Sequence, residues 1–189
     1  MEEMKYLNVA LLAVGFVARA ITASAASLEI DPQQSKIEVA VSSTIDSFVA
    51  HLDKYEATVD CDSSVPLPAK ADVNFNFADL KTGNTDRDAA MLKWLEYDAN
   101  PTATFHLTGW SQAGTTNIAS GQLTIHGVST AVHMPAVVTH TGTTWNISGQ
   151  TTFDYRDFKL SKIRKALFLT VDPHLTVKFH LSGKITAAQ

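Results

Sequence analysis

The sequence predicts an all-β domain of antiparallel strands with one short helix. From residue 28 onward, apolar and polar residues alternate with a period of two, which is typical of strands with one buried face. Turn-forming residues separate the alternating segments at short intervals, and short connections favour antiparallel neighbours. One segment near residue 85 has helical spacing instead. Eight or nine strands arranged in this way fit a barrel or a sandwich.

The first 25 residues have the features of a secretory signal. Lys5 precedes an apolar run from Leu7 to Ala18. Ala23-Ser24-Ala25 then gives the pattern of small residues that a signal peptidase cuts. The run is shorter than the roughly 20 residues that a membrane-spanning helix needs. We therefore expect a cleaved signal peptide over residues 1–25, a single domain over residues 26–189, and a periplasmic or secreted protein.

Cysteine content and charge limit the classes of function. Cys61 is the single cysteine, so we expect a free thiol and no internal disulfide. The net charge is −4, and this balance predicts no nucleic-acid partner because such binding needs a basic surface. The segment 159–165 is locally basic through Lys159, Lys162, Arg164 and Lys165. It is either a solvated loop or a contact for anionic lipid head groups.

The alternation is clearest in two segments. Residues 71–77 read ADVNFNF and residues 175–185 read LTVKFHLSGKI, so each predicts a strand with one apolar and one polar face. Weaker alternation predicts further strands over residues 35–41, 44–50, 54–60, 102–110, 117–125, 132–140 and 144–153.

The segment TGNTDRDAAMLKWL, residues 82–95, predicts the helix. Thr85 and Asp88 resemble a capping box. The negative charges of Asp86 and Asp88 would also stabilise the helix, because they lie near the positive end of its dipole. Apolar residues follow at helical spacing: Met91, Leu92, Trp94 and Leu95. We predict a helix from roughly Asp86 to Leu95 that packs at the side or mouth of the sheet structure. We interpret Asp86, Arg87 and Asp88 as structural rather than catalytic.

Residues that could carry catalysis or bind a metal lack the required spacing. His133 and His140 differ by an odd number of residues, so they face opposite sides of a strand. His174 and His180 would lie roughly 20 Å apart along one strand. The sequence also lacks a nucleophile elbow, a phosphate-binding loop and Cys/His zinc spacing. We expect no catalytic residue, no metal and no enzyme activity, and we interpret His126 as a structural turn residue.

Large apolar residues would face the interior of a closed barrel. An eight-stranded barrel has an interior just wide enough for side chains or one small ligand. Alternation reports burial, so a filled core and a ligand cavity remain equal alternatives. The inward residues would be Phe75, Phe77, Phe105, Leu107, Leu123, Ile125, Met134, Trp145, Phe153, Val177 and Phe179.

Four stretches resemble the YceI-like family of bacterial periplasmic, polyisoprenoid-binding proteins. They are IDPQQSKIEVAV at 30–41, KYEATVD at 54–60, TGNTDRDAAMLKWLEYDANPTATF at 82–105 and GQLTIHGVSTAV at 121–132. Their order and spacing also match, and the resemblance covers residues 28–185. One stretch departs from the family's usual Arg-x-Asp-Phe-Gly-Leu. Here Tyr155 stands at the Arg position and Lys159 at the Gly.

The resemblance implies an antiparallel, eight-stranded lipocalin-like barrel. It further implies an exported carrier or storage protein that holds an isoprenoid quinone, a polyprenol or a fatty-acid derivative without a covalent bond. No other cofactor is expected, and Arg87 would tie the helix to the barrel. The expected ligand contacts are the eleven inward residues together with Trp94 and Phe158. A lipid-directed hydrolase or metal-dependent enzyme, a ligand-free interaction module with a filled core, transient membrane contact and a homodimer remain open.

Overall fold

The computed structural model describes residues 26–44, 46–61, 65–165 and 169–186. The predicted signal peptide lies outside the described residues. The first strands are β1 (Ala26–Ile30), β2 (Lys36–Ser42), β3 (Ser47–Leu52), β4 (Glu56–Cys61), β5 (Lys70–Asn76) and β6 (Leu80–Lys81). After helix α1 (Thr85–Trp94) come β7 (Thr102–Ala113), β8 (Thr116–Ile125), β9 (Val128–Thr141), β10 (Thr144–Asp154), β11 (Arg164–Lys165), β12 (Leu169–Thr170) and β13 (His174–Thr186). Two short 3₁₀ helices cover Phe77–Asp79 and Tyr155–Phe158.

The main sheet closes on itself as a barrel. Its strands pair in the order β1, β4, β5, β7, β8, β9, β10 and β13, and β13 pairs back with β1. Every one of these pairings is antiparallel. The predicted eight-stranded antiparallel barrel is therefore confirmed, because closure leaves no free edge in this ring.

Two of the barrel strands are broken in the middle. β13 pairs with β1 through its last residues and with β2 through residues 176–180, so β1 and β2 form one interrupted strand. β3 and β4 form the next one, since they pair with β2 and β1 respectively. Ser35 bridges the first break: its hydroxyl accepts from the Ser182 backbone N–H at 2.8 Å.

The two ends of the barrel differ. We call the end with the 142–143 turn the lower end and the end with α1 the upper end. At the lower end, Trp145 is almost completely buried and His140 stacks on its ring at 4.8 Å. The upper end carries α1, the Tyr155–Phe158 3₁₀ helix and the described segments 160–165 and 169–173 that follow it. The upper end is thus the one where additional segments cover the barrel and could enclose a ligand.

Helix α1 begins one residue earlier than the capping-box prediction requires. Its N-cap is Asn84, not Thr85, and the Asn84 side chain accepts from the Arg87 backbone N–H at 3.0 Å. Asp88 instead accepts from the Thr82 backbone N–H at 2.9 Å and from the Thr82 hydroxyl. The Asp88 carboxylate therefore holds residue 82, just before the helix, in place by two hydrogen bonds. This agrees with the interpretation of Asp88 as a structural residue. Among the residues that the structure describes, no helix is both long and apolar enough to cross a membrane.

Candidate ligand-binding site

A cavity of about 470 Å³ lies in the upper half of the barrel beneath α1. Its walls are inward-facing residues near the upper ends of the strands, for example Val39 and Val41 on β2, Ile125 on β8, Phe153 on β10 and Leu175 on β13. The cavity exists partly because small side chains occupy inward positions. Ala50 on β3 is almost completely buried and lines the cavity.

The roof of the cavity is built from three segments that hold one another. Trp94 of α1 lines the cavity, packs edge-on against Tyr155 and donates from its indole N–H to the Ser161 carbonyl at 2.9 Å. The buried Tyr155 hydroxyl accepts from the Ile163 backbone N–H at 3.2 Å. The polar atoms of Trp94 and Tyr155 are thus both hydrogen-bonded, as buried aromatic side chains of these types require.

One edge of the cavity is polar. It is formed where the start of α1 meets the connection between β2 and β3, and its polar lining residues are Ser43, Asp46, Thr82, Asn84, Asp86 and Arg87. The Arg87 guanidinium lies 3.8 Å above the ring centroid of Phe48 on β3. Its Nη2 is 4.0 Å from an oxygen of Asp46. Arg87 therefore joins the helix to the β2–β3 hairpin by a cation–π contact and a weak ion pair.

The closed barrel, the upper cavity and the covering helix occur together in a chain whose sequence matches a known protein family. The sequence profile of the YceI-like domain matches residues 28–183. The chain belongs to the YceI-like family. No curated protein sequence matches it significantly.

Solved structures share the fold. Burkholderia cenocepacia BcnA is 21% identical with a TM-score of 0.72, over 82% of this chain and 100% of that chain. A Campylobacter jejuni YceI protein is 20% identical with a TM-score of 0.65, over 74% and 86% of the two chains. A polyisoprenoid-binding domain from Saccharophagus degradans, implicated in plant cell wall breakdown, is 16% identical with a TM-score of 0.65, over 86% and 99%.

The thirteen residues predicted as ligand contacts fall into two groups in this YceI-like barrel. Phe77, Trp94, Ile125 and Phe153 line the upper cavity. The other nine are outside its lining. Val177 on β13 is half-buried, and the remaining eight belong to, or pack against, the buried core: Phe75, Phe105, Leu107, Leu123, Met134, Trp145, Phe158 and Phe179. Phe158 is fully buried behind Phe153, against which its ring packs edge-on at 5.4 Å. The alternation in the sequence predicts which side chains face the barrel interior. It does not predict how far along the barrel axis each one lies, and that position separates the two groups.

Several residues that line the cavity are not among the contacts predicted from the sequence. Phe48 and Ala50 follow the alternation of the predicted strand at 44–50, so the pattern alone could have identified them as inward. Leu160 and Ile163 lie in the connection after the second 3₁₀ helix, where no periodic pattern marks them. For Arg87 the sequence predicts only a link between helix and barrel, whereas the structure also places it among the lining residues.

The two departures from the usual family motif have clear positions. Tyr155, at the usual Arg position, is buried beneath Trp94. Lys159, at the usual Gly position, has a φ of 59° and ends the 3₁₀ helix in the left-handed conformation. Glycine adopts this conformation without strain, which explains the family preference. His126 also has a positive φ, of 52°, in the two-residue turn before β9, and its ring lies 3.3 Å from Glu96.

The histidines of the described segments offer little for catalysis. His180 contacts Ser148 at 2.7 Å and His133 contacts Ser120 at 2.9 Å, but neither histidine has a carboxylate contact within the described chain. A serine–histidine pair without an orienting acid lacks the arrangement of a hydrolase triad. No group of three or more metal-ligating side chains occurs among the residues that the structure describes.

Proposed function

We propose that this protein binds the chain of a long amphiphile, such as an isoprenoid quinone, a polyprenol or a fatty-acid derivative, in the upper cavity. The observation that carries the proposal is the apolar cavity of about 470 Å³ beneath α1. Its volume lies within the range of roughly 300 to 1,000 Å³ that small-molecule sites occupy. The likeness to a polyisoprenoid-binding domain supports the same ligand class.

The driving force would be burial of the ligand's hydrocarbon. Each buried methylene contributes about 0.8 kcal/mol, so ten contribute roughly 8 kcal/mol before the entropy of binding is subtracted. The tail would contact Phe77, Trp94, Ile125 and Phe153. A longer tail would extend towards Phe75, whose ring packs edge-on against Phe77 at 5.4 Å, and towards Phe105 and Phe179 in a neighbouring part of the core. No covalent step is needed.

The proposed role is that of an exported carrier or storage protein. Export would place the barrel in the periplasm or outside the cell, where an apolar chain needs shielding from water. Transient contact with a membrane would deliver or collect the ligand at the upper end. The exposed Lys159 and Lys162 flank that end and favour anionic head groups.

The experiment is organic extraction of protein purified from its native cells, followed by mass spectrometry. We expect a non-covalently bound amphiphile with a chain of at least about ten carbons. In parallel, decylubiquinone is titrated into delipidated protein while Trp94 fluorescence is followed. Recovery of no lipid together with no fluorescence change would overturn the proposal. A Trp94→Phe variant assigns the signal, since Trp110 and Trp145 are outside the cavity lining.

A further inference from the structure

The guanidinium of Arg87 has no hydrogen-bond acceptor within the described residues. Its Nη1 is buried and unpartnered. Its closest carboxylate contact, Nη2 to Asp46, is 4.0 Å long and so is an ion pair without a hydrogen bond. The Arg87 side chain as a whole is 31% exposed, so the missing acceptor concerns Nη1, where a buried donor is unfavourable unless another molecule supplies an acceptor.

The position of Arg87 restricts where such an acceptor would come from. Arg87 lines the polar edge of the upper cavity and is the only lysine or arginine among its described lining residues. Stacking on Phe48 holds the planar group in one orientation. Asp88, the adjacent carboxylate, accepts hydrogen bonds from Thr82 and, among the described residues, none from Arg87. An oxygen of a molecule in the cavity would be within reach of the guanidinium.

Resting on the function proposed above, we propose that Arg87 binds the polar head of the ligand by donating to an uncharged acceptor oxygen, such as a carbonyl or hydroxyl. This assigns the head to the edge where α1 meets the β2–β3 connection, with the tail on the apolar walls.

The charges at this edge favour an uncharged head over an anionic one. Asp46 and Asp86 line the same edge as Arg87, so its carboxylates outnumber its one cation. A phosphate or carboxylate head would be repelled by both acids. The basic segment 159–165 is a weaker candidate, because Lys159 and Lys162 are not among the lining residues.

Three probes with ten-carbon chains test this assignment. Decylubiquinone carries uncharged carbonyls, decylbenzene has a similar ring without oxygen, and decyl phosphate has an anionic head. We expect Arg87→Met to weaken decylubiquinone binding about ten- to a hundredfold, the range for a hydrogen bond from a charged donor. Decylbenzene binding should change less than about twofold. Lys93→Met is the matched control, since Lys93 lies on the exposed face of the same helix, and it should leave both affinities unchanged.

The outcomes separate this inference from the proposed function. If wild-type protein binds neither decylubiquinone nor decylbenzene, the proposed function has failed. If it binds both and Arg87→Met changes neither affinity, only the role of Arg87 is overturned, as it also is if both affinities fall equally. Tighter binding of decyl phosphate than of decylubiquinone by wild-type protein would overturn the uncharged head. Should Arg87→Met unfold, Arg87→Lys keeps the charge without the planar fork, and it should still weaken decylubiquinone selectively.

Discussion

The ring of Phe179 on β13 lies directly against Gly149, its register partner on β10. A β-carbon on residue 149 would be 2.7 Å from Cζ of Phe179 and 2.8 Å from the Pro135 carbonyl oxygen. Glycine at this position lets the ring lie across the barrel interior. Phe105 lies against Gly121 in the same way. Both rings pack against backbone in this way, and neither residue lines the upper cavity.

We expect Gly149→Ala to destabilise the barrel by about 1–3 kcal/mol, the usual cost of overpacking a core. Urea unfolding measures the change. The matched control is Gly109→Ala, because no atom lies within 4 Å of a β-carbon there, and it should stay within about 0.5 kcal/mol of wild type. Adding Phe179→Leu should recover part of the loss, although the Pro135 contact remains. Equal stabilities of the two alanine variants would contradict the close packing at Gly149.

Lys159→Gly should stabilise the protein by roughly 0.5–1 kcal/mol. Lys159 has a φ of 59°, and relief of the strain exceeds the entropy that glycine adds to the unfolded chain. Thermal unfolding measures the gain. Lys162 has no positive φ, so Lys162→Gly should lose about 0.4–1 kcal/mol. A loss of stability in both variants would show that the strain at Lys159 is negligible.

Filling the cavity should weaken ligand binding without unfolding the barrel. Ala50→Phe would place a ring among the lining residues. Displacing two or more methylenes at about 0.8 kcal/mol each lowers the affinity for decylubiquinone roughly tenfold or more. Ala131→Phe, on the exposed face of β9, is the control and should bind as wild type does. Unchanged binding by Ala50→Phe would place the ligand outside the upper cavity.

Acid should remove a contribution made by Asp154. Its hydrogen bonds from Arg156 lower the pKa of this carboxyl to about 2, against the opposing effect of burial. The folded pKa lies below the ordinary value of 3.8, so the stabilisation is present above about pH 4 and is lost as the pH falls towards 2. Asp154→Asn should therefore be less stable than wild type at pH 7, with a gap that narrows below pH 4.

Urea unfolding of both proteins between pH 7 and pH 3 measures that gap. Arg156→Gln removes the partner instead of the acid and should reduce the acid dependence in the same way. A gap that stays constant over this range would contradict the assignment.

The thiol of Cys61 should be unreactive in the native protein. Burial, together with the charge of Asp60, raises its pKa to about 11, and the side chain is almost completely covered. At pH 8 only about one molecule in a thousand would carry the thiolate that reacts with thiol reagents. We expect slow labelling by Ellman's reagent in buffer and rapid labelling in urea. A Ser111→Cys, Cys61→Ser variant places the thiol on an exposed part of β7 and should react at once. Equally fast native labelling in both proteins would contradict the burial.

The positions of the strands could be predicted from the sequence because alternation is a local property. The predicted segment 35–41 differs from β2 by one residue at each end, and the predicted segment 144–153 ends one residue before β10 does. The helix could be predicted equally well, because Met91, Leu92, Trp94 and Leu95 form an apolar stripe at helical spacing within one short segment. The N-cap was misplaced by one residue because Asn84 and Thr85 are both good caps, and the choice between them depends on where the entering chain is held.

The inward residues that line the cavity could not be identified in this way. Phe153 and Phe179 have the same alternation, yet Phe153 faces the cavity while Phe179 lies across Gly149 further down the barrel. Depth along the barrel axis depends on strand register, on the breaks in β1–β2 and β3–β4, and on which neighbour is a glycine or an alanine. Arg87 likewise acquires its place at the cavity edge only when Phe48 is brought beneath it. These are contacts between residues distant in the chain, and a local pattern carries no information about them.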